Sequence, residues 1–282
     1  MDEYYPKNAL AALLVFSSSQ LSKIMAILKN ASKFSMGTFL LIAGPCAVES
    51  REQLEQTAKF LKDLGISYMR GGIYKTRTSP YSFQGLGEQG IFLMKEVCQK
   101  YNLRSVSEVI DKETVEKMKD YIDVLQVGSR NMQNVSLLRA LGKTDNSILL
   151  KRGFMSTLNE WLFSGEYISK QGNDNIIFCE RGIRTFQQET RYTLDLGIIP
   201  VLKKRTEYPI IVDPSHSAGK SEYVQSLALA AVAANADGLI IEIHPEPEKA
   251  LSDKEQLLNF SQFEQLFLKI TKITNLLGKT IV

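Results

Sequence analysis

A (β/α)8 barrel of the TIM type, with a short N-terminal extension, is the fold this sequence predicts. Three observations predict it. Eight short apolar runs rich in β-branched residues recur along the chain, segments of helical period lie between them, and no glycine-rich dinucleotide fingerprint follows any run. Strands alternating with helices form parallel sheets, and near-continuous apolar strands indicate burial on both faces. The missing fingerprint weakens the open, doubly wound alternative. Length agrees, because 282 residues exceed an average domain while barrels of about 250 residues fold as one unit.

Residues 1–36 are expected to form the extension, partly helical, and residues 37–282 the barrel. In the extension, "ALAALLVF" (9–16) is eight apolar residues, far short of the roughly 20 that a spanning helix needs. The acidic "MDEYYPKN" before it has the wrong charge for a secretory signal. The following "SSSQLSKIMAILKNASKF" puts Leu21, Ile24, Met25 and Leu28 on one helical face. That face is narrow, which suits cover for a barrel end or a subunit contact better than binding to a membrane surface. Strands are then expected at "FLLIA" (39), "SYMRG" (67), "RSVSE" (104), "IDVLQV" (122), "SILLK" (147), "IIFCE" (176), "PIIVD" (209) and "GLIIEI" (238), with starts 28, 37, 18, 25, 29, 33 and 29 residues apart. The first helix is the best marked: in "ESREQLEQTAKFLKDLG", Ser50 and Gln53 fit a capping box, Leu54, Ala58, Leu61 and Leu64 share a face, and Gly65 ends it.

Composition excludes several classes. Values of 44% hydrophobic and 23% charged are globular, and 34 basic against 31 acidic side chains are too balanced for phosphate-backbone binding. Cys46, Cys98 and Cys179 are odd in number and lack CxxC spacing, which disfavours a disulfide framework or a zinc knuckle and fits a reducing cytoplasm. Nucleic acid and membrane are not expected partners, and the expected location is cytoplasmic.

The polar residues after the runs carry the functional signal. Arg70, Lys75 and Arg77 follow the second run, Arg130 the fourth, Lys151 and Arg152 the fifth, and Glu180, Arg181 and Arg184 the sixth. Asp213 and His216 follow the seventh, Glu242 and His244 the eighth. In a parallel barrel all these ends share the face where chemistry is done. Cations that merely solvate loops would be spread over both ends, so a ring of them at one end calls for anions, phosphate or carboxylate. A small phosphorylated substrate is expected. The loop "GGIYKTRTSPYSFQGLG", read as the longest after any strand, pairs cations with hydroxyls in a manner suited to holding phosphate and closing over a site.

Cys46 follows the first run, His216 the seventh, Glu242 ends the eighth and Asp253 lies just beyond it. In a closed barrel the first and eighth strands are neighbours and the seventh adjoins the eighth. Sulfur, imidazole and two carboxylates can therefore meet, a set suited to a borderline divalent ion. Two plainer readings stay open here: a buried structural Cys46 and a turn histidine at 216.

The motifs "IAGPCAVES", "RGGIYKTRTSPYSFQGLGEQG", "QVGSRNMQN", "LLKRGFMST", "CERGIRTF", "VDPSHSAGK" and "IEIHPEPEKALSD" resemble the type I beta class of 3-deoxy-D-arabino-heptulosonate 7-phosphate synthase. The resemblance runs in order from about residue 37 to the carboxyl terminus. It implies a barrel that condenses phosphoenolpyruvate with erythrose 4-phosphate and water, with loss of phosphate. Carried over residue by residue, it makes Cys46, His216, Glu242 and Asp253 the ligands of one divalent ion of the Mn, Fe, Co or Zn class. Arg130, Lys151 and Arg181, with the backbone of Ser129, grip phosphoenolpyruvate, while Arg70 and Lys75 lie along it towards the sugar. Arg77, Thr78 and Ser79 take the sugar phosphate. Lys75, Cys46 and His216 are the expected catalytic residues, with Lys75 protonating the new alkoxide, and Glu108 and Glu180 fall where acids position water. The implied assembly is a homo-oligomer, dimer or tetramer, with chorismate mutase as a protein partner.

Two departures from the family pattern stand out. Thr76 replaces the usual proline of Lys-Pro-Arg-Thr-Ser, which is expected to loosen the loop and weaken the grip on the sugar phosphate, as KM values of Thr76→Pro would report. Members of the class can carry a regulatory domain ahead of the barrel; with residues 1–36 alone there, no built-in feedback inhibition is expected. Two rivals remain. A 3-deoxy-D-manno-octulosonate 8-phosphate synthase has two residues between the loop Lys and Arg, whereas only Thr76 separates Lys75 from Arg77. A non-catalytic phosphometabolite-binding barrel would lack a ligand or a cation, and none is missing. For His244 both support of the ion's ligands and a backbone-bonded loop role stay open.

Overall fold

The computed structural model describes residues 37–75, 79 and 81–282. The expected N-terminal extension with its amphipathic helix, and Thr76, Arg77 and Thr78 of the sugar loop, lie outside the described residues. Each apolar run contains a strand: β1 (Thr38–Gly44), β2 (Tyr68–Arg70), β3 (Arg104–Val109), β4 (Val124–Val127), β5 (Ser147–Lys151), β6 (Ile176–Glu180), β7 (Ile210–Val212) and β8 (Gly238–Glu242). Neighbours pair in parallel from β1 to β8, and β8 returns to β1 with Ile42 opposite Ile240 and Gly44 opposite Glu242. The sheet is thus closed, and strands such as β6 are buried along their whole length, as the continuous apolar runs predict. The sequence reading did not foresee β9 (Thr280–Ile281), which pairs with the start of β1.

Around the sheet run α1 (Arg51–Asp63), α2 (Glu88–Tyr101), α3 (Lys112–Met118), α4 (Val135–Leu141), α5 (Leu158–Ser169), α6 (Ile198–Lys203), α7 (Pro214–Ala218), α8 (Ser221–Ala233) and α9 (Phe260–Leu276). The α1 cap is half of the expected box. The Ser50 hydroxyl accepts from the Gln53 N–H, but the Gln53 side chain accepts from Glu49 N–H and donates to the Ala47 carbonyl instead of returning to Ser50. Gln53 is thereby spent on bracing the connection that carries Cys46. Buried Trp161 anchors α5, edge-on to Phe178 at 5.1 Å, with its indole N–H donating to the Leu150 carbonyl at 3.1 Å. The ring contact alone contributes roughly 1 kcal/mol. No described helix is long and apolar enough to cross a membrane.

All connections that leave the carboxyl ends of the strands open onto one rim. The β2 loop (71–87) is not the longest as expected, since those after β6 (181–197) and β8 (243–259) match it. These three loops carry Lys75, Arg181, Arg184 and Asp253 among the charged residues singled out in the sequence.

Candidate active site

Closure of β8 on β1 builds the centre of the rim. Cys46 lies just past β1, and Glu242, the last residue of β8, stands beside it. Asp253 sits in the β8 loop with left-handed backbone (φ 46°, ψ 41°), a conformation aspartate tolerates better than most residues. Ligand atoms of Cys46, Glu242 and Asp253 all lie within 4.8 Å of one another, and the Cys46 thiol donates to Asp253 Oδ2 at 3.1 Å. His216 arrives on α7, whose N-cap is Asp213. Its Nε2 is 3.5 Å from Glu242 Oε1 and its Nδ1 2.7 Å from Asp213 Oδ2. A carboxylate on Nδ1 fixes the ring and leaves Nε2 as the donor, the arrangement that metal-bound histidines show. The four predicted ligand residues therefore share one point of the rim, three in a tight group and His216 against it through Glu242.

The donor set of one sulfur, one imidazole nitrogen and carboxylate oxygens, largely shielded from water, fits a borderline divalent cation. Positive charge already faces it: Arg70 pairs with Glu242 and donates to the Cys46 carbonyl at 3.1 Å, and Lys75 Nζ lies 3.0 Å from Cys46 Sγ. Burial, with Glu242 adding to it, pushes the Cys46 thiol up to about 12. Burial lowers the His216 pKa, so the ring is neutral near pH 7. Burial works against the Lys75 charge, but Cys46 and Glu242 outweigh it and hold the ammonium above its usual range. Gly72 permits this packing. A Cβ there would meet Lys75 Cδ at 2.6 Å and the Cys46 carbonyl oxygen at 2.7 Å.

The remaining predicted residues separate by partner. Lys151 Nζ donates to Asp213 Oδ2 at 2.5 Å, so one buried carboxylate holds both Lys151 and His216. Burial opposes the charge on Asp213, yet His216 and Lys151 hold the carboxyl well below its ordinary value. Arg181 is buried, and its Nη1 has no hydrogen-bond partner among the described residues. Arg130 is exposed and Ser129 half-buried, both in a 3-10 turn after β4. Glu108 faces that turn, accepting from Gln126 at 2.9 Å, and a Cβ on Gly128 would lie 2.1 Å from its Oε1. Glu180 is fully engaged by protein: one oxygen accepts from Arg152 at 2.9 Å and the other from the Gly182 N–H at 2.6 Å. It braces the β6 loop. Ser79 is exposed and accepts from the Tyr81 N–H at 3.3 Å; of the expected sugar-phosphate trio it alone is described.

Sequence reasoning gave no role to Asp213, Ser215 or Gln256. Gln256 donates to Glu242 Oε2 at 2.6 Å and accepts from Arg191 at 2.9 Å, and the Ser215 hydroxyl accepts from the Glu242 N–H at 3.0 Å. Asp213 had a local signal, being an Asp-Pro pair at a strand end and hence an N-cap before Pro at N1; Gln256 had none. His244 accepts from the Glu246 N–H at 3.0 Å and turns Nε2, which has no hydrogen-bond partner among the described residues, to 3.5 Å from Glu49 Oε2, while Glu49 Oε1 accepts from the Leu251 N–H. It braces the β8 loop.

Comparison with known proteins gives the following. The model of the DAHP synthetase I family matches residues 27–278. The chain is 50% identical over 246 residues to phospho-2-dehydro-3-deoxyheptonate aldolase of Thermotoga maritima, covering 87% of this chain and 73% of that protein. It is 30% identical over 266 residues to 2-dehydro-3-deoxyphosphooctonate aldolase of Desulfotalea psychrophila, covering 86% and 94%. The crystal structure of the Thermotoga maritima protein superposes with a TM-score of 0.85 at 48% identity, covering 88% of this chain and 72% of that one. The structure of a truncated form of that protein gives 0.82 at 45% identity, covering 88% and 90%.

Proposed function

The chain belongs to the DAHP synthetase I family, and from that membership we infer that it is a 3-deoxy-7-phosphoheptulonate synthase. It is a transferase that condenses phosphoenolpyruvate with D-erythrose 4-phosphate and water, releasing inorganic phosphate, at the head of the shikimate pathway to chorismate and the aromatic amino acids. The observation that carries this reading is the contact of Cys46 with Asp253 and Lys75, beside Glu242 and His216, on a rim lined with cations.

Cys46, His216, Glu242 and Asp253 would hold a divalent ion of the Mn, Fe, Co or Zn class. When bound, it supplies Lewis-acid polarisation of the sugar aldehyde. Arg130, Lys151, Arg181 and the Ser129 backbone bind phosphoenolpyruvate, with Arg70 and Lys75 along it; Arg77, Thr78 and Ser79 bind the sugar phosphate. The methylene carbon of phosphoenolpyruvate attacks the aldehyde carbon, forming the new C–C bond. Lys75 Nζ, charged and half-buried beside Cys46, delivers a proton to the aldehyde oxygen. Water adds to the electron-poor carbon that bears the phosphate, loses a proton, and phosphate departs from that carbon. The arginines stabilise the charge that develops on the departing group. Glu108, whose carboxylate keeps one oxygen clear of Gln126, is the better-placed acid for positioning water, because Glu180 has both oxygens engaged. A homo-oligomeric assembly and docking of a chorismate mutase rest on the resemblance alone and are read by sedimentation with and without that enzyme.

The octulosonate reading is weaker on identity, 30% against 50%, and on the single residue between Lys75 and Arg77. Phosphate release from phosphoenolpyruvate, assayed with erythrose 4-phosphate and with arabinose 5-phosphate, decides between them. Turnover with arabinose 5-phosphate alone would overturn the assignment, and no turnover with either would favour a non-catalytic barrel.

A further inference from the structure

The cations of the rim fall into two groups. Arg70 is paired with Glu242, Lys151 with Asp213, and Arg152 with both Glu180 and Asp195. Among the described residues, no carboxylate comes within ion-pair distance of Arg130, Arg181 or Arg184. These three instead gather around one ring. Their guanidinium carbons lie 5.6, 5.0 and 5.3 Å from the centroid of Phe154. Phe154 stacks on Tyr192 with centroids 5.2 Å apart, and Arg181 also lies 4.1 Å from the Tyr192 centroid. The backbone joins the group as well, because the Arg184 N–H donates to the Phe154 carbonyl at 2.7 Å. Arg181 is buried with Nη1 unpartnered, a donor that costs stability unless a ligand takes it.

Three like charges, Arg130 after β4 and Arg181 and Arg184 after β6, face one ring from the connection after β5 between them and repel one another. An aromatic face offsets part of that repulsion through its quadrupole, water screens exposed Arg130 and Arg184, and a bound anion would satisfy buried Arg181 as well. We propose that Arg184 is a third guanidinium of the phosphoenolpyruvate phosphate site, beside Arg130 and Arg181, and that Phe154 is the positioning residue that gathers the three. The inference rests on the synthase reading and on the placement of that phosphate at Arg130 and Arg181. The motif "CERGIRTF" supplies the geometry: Arg181 and Arg184 both leave the end of β6, with Gly182 at φ +88° turning the chain between them. The dianionic phosphate of phosphoenolpyruvate offers enough oxygens for three planar forks.

The test uses metal-loaded full-length protein, with binding of phosphoenolpyruvate and of inorganic phosphate measured by calorimetry beside steady-state KM and kcat. Arg184→Gln is expected to weaken both ligands about tenfold, raising KM for phosphoenolpyruvate with little change in kcat or in KM for erythrose 4-phosphate. Arg184→Lys is expected to recover part of the loss. Phe154→Leu is expected to reproduce it, and Phe154→Trp, which keeps a ring, to bind normally; if the leucine variant does not fold, the Arg184 pair and Phe154→Trp decide. Arg181→Gln is the reference. Wild-type affinity in Arg184→Gln while Arg181→Gln loses binding would overturn the proposal and leave the synthase reading intact. Wild-type affinity in both would remove the phosphate from this group altogether, and the proposal with it.

Discussion

Cys46 Sγ lies 3.1 Å from Asp253 Oδ2 although the two residues are 207 positions apart. Their meeting is a product of barrel closure: β8 pairs with β1 so that Gly44 stands opposite Glu242, and the next residues of both strands lead to the two ligands. Replacing Cys46 with Ser removes the one soft ligand from this set. The variant is expected to fold, since only Ala250 and Leu257 share its small apolar cluster. Its affinity for a divalent ion is expected to fall by about 100-fold or more, measured by competition with a chromophoric chelator.

Asp213 bridges Lys151 and His216 with one buried carboxylate. Asp213→Asn is expected to lower ion affinity by roughly 10- to 100-fold through misorientation of His216. Asp213→Ala leaves buried Lys151 unpaired and is expected to cost about 3–5 kcal/mol in chemical denaturation, most of which Lys151→Met restores in the double variant. Equal stability of the single and double variants would show that the pair is not coupled.

Gly72 has no room for a methyl group. Gly72→Ala must push either the Cys46 carbonyl or the Lys75 stem, and the stem is the softer of the two. Phosphate release is therefore expected to drop about tenfold or more while the thermal midpoint moves little. A wild-type kcat in this variant would mean that the Lys75–Cys46 contact does not matter for turnover.

Ion binding should depend on pH with a definite sign. The Cys46 thiol is pushed up to about 12, so it keeps its proton at neutral pH and must lose it to solvent on binding a cation. The His216 pKa is lowered, so the ring contributes no proton near pH 7. Affinity is expected to rise roughly tenfold per unit from about pH 6 to 8, and Cys46→Ser to abolish that slope. Titrations in buffers of different ionisation enthalpy count the released proton directly.

The barrel was legible because strands such as β1, β6 and β8 are buried on both faces and so read as nearly unbroken apolar runs. The site was legible to the extent that residues follow strand ends: His216 and Glu242 could be placed on the rim from order alone. Pairing was not legible. Glu180 looked like a free acid until Arg152 and the Gly182 N–H took both its oxygens, and Gln53 looked like a cap partner until it turned to Ala47. Gln256 carries no local pattern, since its contact with Glu242 depends on how the β8 loop folds back. Side-chain direction at the end of a strand is set by neighbours remote in the chain, and no short motif encodes it.

The most direct test of the central claim is cobalt substitution. Protein stripped of metal and loaded with Co(II) is expected to bind one ion per chain, to show thiolate-to-cobalt charge-transfer absorption that Cys46→Ser removes, and to release phosphate from phosphoenolpyruvate with erythrose 4-phosphate only when loaded. Charge-transfer absorption that survives in Cys46→Ser, or full phosphate release from verified metal-free protein, would contradict it.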